Sequence, residues 1–382
     1  MEKRPIDWGV ELSDTMLRRY PDVNDLPPYP QGHVATFNYL QGVFLVGLSR
    51  IWEITRDDRY LQYIGQWIRA VQNEQGRIRE YTGWMSMETL DFHQPTNVLE
   101  FMFELNRDPH LMDLISYMME DLLQYPKNAF GGFDHFYSTP GQMWADGLYM
   151  VGPALVKYAS YTGKEEFREI AVDQIFLMYE HLRDPESGLL RHGWDCTGKA
   201  SWADPQNGRS PEVWGRACGW FVLAIGEMLD YLPEDYPRRK AIMDIQRETL
   251  NSVMKAQSPE GRWYEVVDKW DHPDNWPENS CTCLFVHSIA KGVRTGILPR
   301  NAYAFAEKAY HRVIETLLPS AEGEVSIGNI CIGTGIEEGT YDYYIHRKCT
   351  ENDLHGVGAF LLMVSEMHKT EMWMRSNPSP AE

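Results

Sequence analysis

The chain has 382 residues, of which 43% are hydrophobic and 24% charged, a composition typical of a folded globular protein. Its net charge of −19 argues against a nucleic-acid partner, because phosphate binding requires clustered lysine and arginine. The same charge means that an anionic ligand would need positive charge concentrated inside its own pocket.

The N-terminus lacks the apolar segment of a secretory signal, and no run of about 18 apolar residues could span a membrane. We therefore expect a cytoplasmic protein without a membrane partner, as a monomer or homodimer. The 6 cysteines are too few for a disulfide scaffold and none has CxxC spacing. We expect reduced thiols, most of them buried.

Helical periodicity of apolar residues recurs along most of the chain. Apolar residues spaced three and four apart predict an amphipathic helix over 37–54, followed after a polar turn by a second helix. The same helical hairpin recurs over 98–123, 147–182, 214–256 and 282–317.

The chain ends supply a sixth hairpin. A final helix over 354–369 needs a partner, which a helix over 10–20 could provide. Six hairpins predict an all-α protein, an (α/α)6 barrel formed by one domain over residues 1–382, with short β-hairpins in the connecting loops. An open solenoid is the alternative, but it would need polar capping repeats at both ends.

The connectors between hairpins are rich in glycine, proline and aromatic residues. In a helical barrel they would gather at one end, where binding and catalytic residues are commonly found. One segment, residues 261–267, is predicted to form a short β-hairpin. The connectors span residues 76–94, 125–142, 183–212, 257–280 and 320–352.

Asp146 lies where a connector turns into a helix, two residues after Trp144. A carboxylate in this position is often only a helix cap. The neighbouring tryptophan favours a catalytic interpretation, because an apolar wall raises the pKa of a carboxyl group, as a general acid requires.

A second set of candidates lies around Trp214, Arg216 and Trp220, after a Ser-Pro-Glu segment at 210–212 that is typical of a helix start. Arginine beside tryptophan suits carboxylate binding combined with ring stacking. The alternative is a structural arginine–glutamate pair among buried tryptophans.

Two further candidates have simpler structural explanations. Asp91 precedes a predicted helix, so it is either a helix cap or a functional carboxylate. His355 is either a ligand-binding or a structural histidine, and we favour the structural role. No metal-ligand, nucleotide or hydrolase-elbow motif occurs, so we expect no metal and no cofactor.

Three segments together resemble the unsaturated rhamnogalacturonyl hydrolases, glycoside hydrolase family 105. QMWADGLYM at 142–150 is similar to the central motif of that family. HGWD at 192–195 with SPEVWGRACGW at 210–220 resembles the second motif, and NDLHGVGAFLL at 352–362 the third. The similarity extends from about residue 37 to residue 366, nearly the whole chain.

The resemblance implies a six-hairpin barrel that hydrolyses oligosaccharides ending in a 4,5-unsaturated uronic acid. It assigns Asp146 as general acid/base and Asp91 as a second pocket carboxylate. Substrate contacts are implied for His135, Trp144, His192, Trp214, Arg216 and Trp220. The family often has Asn-Pro-Gly after the first aspartate, where this chain has His93-Gln94-Pro95, so the pocket is expected to differ there.

The mechanism implied is hydration of the C4=C5 enol ether by one carboxyl group, with Arg216 and His192 holding the uronate. An unsaturated rhamnogalacturonan disaccharide is the expected substrate. Glycosaminoglycan- or ulvan-type fragments, as for the unsaturated glucuronyl hydrolases, are the nearest alternative. A sugar epimerase using His192 and His355, and a non-catalytic sugar-binding protein, are alternatives of other classes.

Overall fold

A computed structural model of the chain describes residues 3–27, 33–80, 86–320 and 323–378. Part of the predicted connector over 76–94, residues 81–85, lies outside the described residues. Helices dominate the described chain. The long helices are α1 (Pro5–Arg19), α2 (Tyr39–Thr55), α3 (Asp58–Ala70), α4 (Thr96–Asn106), α5 (Pro109–Gln124), α6 (Gly147–Thr162), α7 (Glu165–Leu182), α8 (Gly215–Leu229), α9 (Arg239–Lys255), α10 (Asn279–Arg294), α11 (Tyr303–Glu315) and, after the short α12 (Tyr341–Ile345), α13 (Leu354–Ser376).

Six of these helices form a closed inner ring. Helix α2 contacts α4, α4 contacts α6, and the ring continues through α8, α10 and α13 back to α2. Each is backed by its outer hairpin partner, and α1 packs against α13. The predicted (α/α)6 barrel is therefore confirmed, including the pairing of the two chain ends.

The sequence of an inner helix explains its place in the ring. Every residue of α8, from Gly215 to Leu229, is buried. A helix that is apolar on all sides is stable only when other helices surround it. The outer helix α3 instead buries one face, through residues such as Tyr60, Ile64 and Trp67.

Short antiparallel strand pairs connect the loops at one end of the barrel. Strand β1 (Gln142–Trp144) pairs with β2 (Gly193–Asp195), so that Trp144 lies opposite Gly193. The remaining pairs are β3 (Leu318–Pro319) with β4 (Val325–Ser326) and β5 (Ile330–Cys331) with β6 (Cys349–Thr350).

Two local predictions are wrong. Residues 261–267 do not fold back on themselves as a short hairpin: Tyr264 bridges to Pro277, later in the same connector, and Val266 bridges to Trp214, at the start of α8. The Ser-Pro-Glu segment at 210–212 does not start a helix: α8 begins at Gly215, and Trp214 is held outside it by its bridge to Val266.

The cysteines agree with the prediction of free thiols. All six are unpaired, and four of them are buried: Cys218, Cys281, Cys283 and Cys331. Among the described residues, no helix is long and apolar enough to cross a membrane.

Candidate active site

A cavity of about 750 Å³ opens at the end of the barrel where the inner helices begin. Its wall includes the first residues of α2 and α13 and the residues at the starts of α6 and α8. Three of the predicted connectors, 76–94, 125–142 and 320–352, contribute to the wall, together with the end of α1 and the segment that follows it. The candidate residues in the wall are Asp91, His135, Trp144, Asp146, Trp214, Arg216 and Trp220.

Asp146 precedes α6 directly but does not cap it. Its side chain makes no capping hydrogen bond, although the residue occupies the cap position. The residue is 7% exposed, and its Oδ2 lies 3.3 Å from Nε2 of His192. The structural explanation of this aspartate as a helix cap therefore fails.

Strand pairing brings His192 to Asp146. The backbone N–H of Ala145 donates to the carbonyl of His192 at 2.9 Å, next to the β1–β2 pair. The imidazole is fully buried, and its Nδ1 lies 2.7 Å from the hydroxyl of Tyr344. It packs against Trp214, with ring centres 4.5 Å apart. The imidazole therefore has a fixed orientation, with Nε2 towards Asp146.

The pKa of Asp146 differs from the sequence-based prediction. Burial raises it, as expected, but the charge and hydrogen bonding of His192 outweigh burial and leave the pKa below its ordinary value. Burial also lowers the pKa of His192. At neutral pH the pair is thus a carboxylate beside a neutral imidazole. The prediction that the pKa of Asp146 is raised rested on Trp144 alone and did not include the opposing effect of His192.

Asp91 forms a second aspartate–histidine pair. It lies in a single 3-10 turn, Leu90–Phe92, and its Oδ1 is 3.4 Å from Nε2 of His135. The His135 ring stacks on Trp144 with centres 4.3 Å apart and planes 9° from parallel. Trp144 therefore lies between the two pairs, since its ring also contacts His192 at 5.3 Å.

His93, where this chain departs from the family pattern after Asp91, lies away from the cavity. His93 is fully buried and its Nε2 lies 3.2 Å from Oδ2 of Asp121. It is absent from the cavity wall, whereas Asp91 is part of it. The substitution therefore alters the packing behind Asp91 and leaves the carboxylate at the cavity.

Arg216 is held mainly by backbone carbonyls. Its Nη1 and Nη2 donate to the carbonyls of Cys331 and Ile332 at 2.7 and 2.6 Å. The guanidinium also lies over the Trp214 ring and 4.0 Å from Oε1 of Glu278. The structural alternative is therefore partly realised, although Arg216 still faces the cavity.

The tryptophans differ in how they are fixed. Trp214 donates its indole N–H to Oε1 of Glu265 at 2.8 Å. Burial, and then the nearby charge of Glu278, raises the pKa of Glu265 to about 8. Trp220 stacks on Tyr149 with ring centres 4.6 Å apart.

Sequence reasoning missed several residues of the site. Tyr39 and Asp353 belong to the wall, and Tyr344 and Glu265 support it from behind. No motif marks the latter two, because their partners lie 152 and 51 residues away along the chain. His355 has the structural role that we favoured, with Nε2 at 2.8 Å from the Cys331 carbonyl.

A closed (α/α)6 barrel with two aspartate–histidine pairs and aromatic walls around a cavity agrees with the predicted class of barrel glycoside hydrolases. The chain belongs to Glycosyl Hydrolase Family 88, whose family model matches residues 10–371, and it is a glycoside hydrolase. The alternatives of an epimerase and of a non-catalytic sugar-binding protein are therefore wrong.

Similar proteins agree with this assignment. The chain is 23% identical to the unsaturated rhamnogalacturonyl hydrolase YesR of Bacillus subtilis, covering 79% of this chain and 81% of that protein. It is 23% identical to an unsaturated 3S-rhamnoglycuronyl hydrolase of Formosa agariphila, covering 90% and 87%. A solved family 105 glycoside hydrolase of C. acetobutylicum superimposes with a TM-score of 0.87 at 27% identity, covering 95% and 99%, which confirms the predicted relationship.

Proposed function

We propose that this enzyme removes a terminal 4,5-unsaturated uronic acid from oligosaccharides released by polysaccharide lyases, and that Asp146 is its general acid/base. The main observation in favour is the Asp146 carboxyl group, which is buried, caps no helix and faces an aromatic-walled cavity beside His192. We propose that the whole chain acts as a single catalytic domain.

The names of the relatives support the substrate class. YesR is an unsaturated rhamnogalacturonyl hydrolase, and the Formosa protein is an unsaturated 3S-rhamnoglycuronyl hydrolase. We therefore propose an unsaturated rhamnogalacturonan disaccharide as substrate. Turnover confined to glycosaminoglycan fragments would favour the glucuronyl alternative, and product analysis of lyase digests separates the two.

Local positive potential would attract the uronate into an acidic protein. The starts of α2, α6, α8 and α13 surround the cavity, and the N-terminal end of a helix carries partial positive charge. Arg216 adds a full positive charge to the same wall. These groups would favour an anion despite the net charge of −19.

The proposed reaction is hydration of the enol ether. The protonated Asp146 carboxyl donates its proton to C4. The π electrons of the C4=C5 double bond form the new C4–H bond, a C4–C5 single bond remains, and the ring oxygen stabilises the cation at C5. Water adds to C5 and returns a proton to Asp146. The resulting hemiketal opens, and the exposed hemiacetal carbon releases the second sugar. One carboxyl group thus serves as acid and then as base.

Substrate binding would raise the pKa of Asp146 and so favour its protonated form. In the free enzyme its pKa lies below the ordinary value, because His192 opposes the effect of burial. The uronate brings a further negative charge and excludes water, and both effects favour the neutral carboxyl group. The Asp91–His135 pair, on the other side of Trp144, would bind a substrate hydroxyl or the attacking water.

The direct test is Asp146→Asn. We expect kcat to fall about 100- to 10,000-fold, because the amide can neither donate nor accept the proton in the reaction. The measurement is the loss of ultraviolet absorbance of the conjugated double bond in an unsaturated rhamnogalacturonyl disaccharide. Asp113→Asn, at an exposed position of α5, is the matched control. Turnover near the wild-type rate in Asp146→Asn would contradict the assignment.

A further inference from the structure

The cavity has a second, more exposed part at its mouth. Arg216 and Trp214, in the inner part, are each 1% exposed. At the mouth, the side chain of Arg19 is 31% exposed, and Glu351 is exposed as well. Because a terminal sugar must enter first, the inner part would receive the unsaturated uronate and the mouth would receive the sugar attached to it.

The charge of Arg19 is already engaged by the protein. Its Nε and Nη2 lie 2.9 and 2.8 Å from the same oxygen, Oε2 of Glu324. Nη2 also donates to the hydroxyl of Ser326 at 3.0 Å. A guanidinium binds a sulfate or carboxylate in a bidentate manner through an edge such as Nε and Nη2. In Arg19 this edge is already occupied by Glu324 and Ser326.

The remaining charges of the wall are unfavourable for a second anion. Among the described residues of the cavity wall, the cations are Arg19 and Arg216, whereas four carboxylates face them. These are Asp91, Asp146, Glu351 and Asp353.

We infer that the mouth of this cavity selects an uncharged sugar next to the unsaturated uronate and disfavours one that carries a sulfate or carboxylate. The inference rests on the proposed function and adds discrimination against charged substituents on the second sugar. Glu324 is the specificity-determining residue, because it occupies the edge of Arg19 that would otherwise bind the anionic substituent; its other oxygen, Oε1, lies 3.9 Å from Nε of the exposed Arg18. Glu351 adds to the repulsion.

The experiment compares two disaccharides that differ only in the second sugar: unsaturated uronyl-rhamnose, and the same compound with a sulfate ester on the rhamnose. We expect the wild-type enzyme to have at least about a tenfold higher kcat/KM for the uncharged compound, as close like charges would produce. An equal or higher value for the sulfated compound would overturn the inference while supporting the proposed function. If the enzyme turned over neither compound, the proposed function and this inference would both be overturned.

A charge-neutralising variant identifies the residue responsible. In Glu324→Gln, Arg19 keeps a hydrogen-bond acceptor but loses the compensating charge, so the preference for the uncharged compound should shrink severalfold. Glu307→Gln, at an exposed position of α11, makes the same change in net charge and should leave the preference unchanged. A preference that is unaltered in Glu324→Gln, with a thermal unfolding midpoint like that of the wild type, would overturn the role of Glu324.

Discussion

At the scale of single residues, the candidate active site consists of two aspartate–histidine pairs separated by one indole. Asp146 pairs with His192, Asp91 pairs with His135, and Trp144 contacts both imidazoles. Nδ1 of His135 and Nε1 of Trp144 are buried and have no hydrogen-bond partner among the described residues. Buried polar atoms normally have partners, so this cluster is suited to receive the polar groups of a sugar.

Tyr344 should influence catalysis without contacting the reacting atoms. Its hydroxyl lies 2.7 Å from Nδ1 of His192, and the hydrogen bond at one ring nitrogen determines the protonation of the other. We expect Tyr344→Phe to lower kcat about tenfold with little change in KM, and to shift the pH profile of kcat. Tyr343→Phe removes the adjacent hydroxyl and is the control. Unchanged kcat and pH profile in Tyr344→Phe would exclude this positioning role.

At the scale of elements, Arg216 ties the start of α8 to the loop that follows β5. The carbonyls that it binds, at Cys331 and Ile332, lead into the Gly333–Gly335 part of the cavity wall. Gly335 approaches the Trp144 ring, where an added Cβ would lie 3.2 Å from it. Arg216 therefore determines the shape of the cavity wall as well as its positive charge.

We expect Arg216→Ala to raise KM and also to lower the free energy of unfolding by about 1–3 kcal/mol, because the carbonyls of Cys331 and Ile332 would lose their donors. Arg216→Lys keeps the charge but does not span both carbonyls, so it separates the two effects. Steady-state kinetics and urea unfolding measure them. A normal KM in Arg216→Ala would show that the residue is purely structural.

Glu265 should make stability depend on pH. Its pKa is about 8 in the folded protein, because burial and Glu278 disfavour its charge, against an ordinary value of 4.5. Between these values the unfolded chain loses a proton that the folded chain retains, so the free energy of unfolding decreases as pH rises. We expect a decrease of at most about 1.4 kcal/mol per pH unit from this group.

The test is urea unfolding between about pH 5 and pH 8, with Glu265→Gln as the variant. Glutamine still accepts from the Trp214 indole through its carbonyl oxygen but does not titrate, so its stability curve should be flatter than that of the wild type. Glu307→Gln should follow the wild type. Parallel curves for wild type and Glu265→Gln would contradict the assignment of the titrating group.

At the scale of the whole molecule, the barrel closes where α2 meets α13. The two helices approach closely at Gly47 and Gly358: a Cβ on Gly358 would lie 2.5 Å from the carbonyl oxygen of Val43, and one on Gly47 2.9 Å from the carbonyl oxygen of Gly358. Backbone atoms do not move aside as flexible side chains do, so both positions need glycine. This contact joins the last inner helix to the first.

Gly358→Ala should therefore lower the free energy of unfolding by about 3 kcal/mol, because the methyl group overpacks the closure. The matched control is Gly65→Ala in α3, where the nearest atom to an added Cβ is 3.6 Å away. That change should raise stability by roughly 0.5–1 kcal/mol, since alanine favours a helix. Thermal or urea unfolding measures both; a stable Gly358→Ala variant would show that the closure tolerates separation of the helices.

Much of the fold could be predicted because it depends on local periodicity. The apolar spacing predicted the positions of the helices, and the repeat of hairpins predicted the barrel. The two wrong predictions, at 210–212 and 261–267, concern loop segments whose backbone partners are distant in sequence. A local pattern carries no information about such partners.

The sequence by itself determined the helices, the ring that they form and the identity of Asp146, Asp91, Arg216 and the tryptophans as candidates. Their hydrophobic periodicity and motifs are properties of short stretches of chain. Only the tertiary structure decided how these residues act on one another: His192 lowers the pKa of Asp146, Tyr344 orients His192, and Glu324 occupies Arg19. Charge and hydrogen bonding act over a few ångströms in space, and the barrel brings together residues that lie as many as 316 positions apart in the chain.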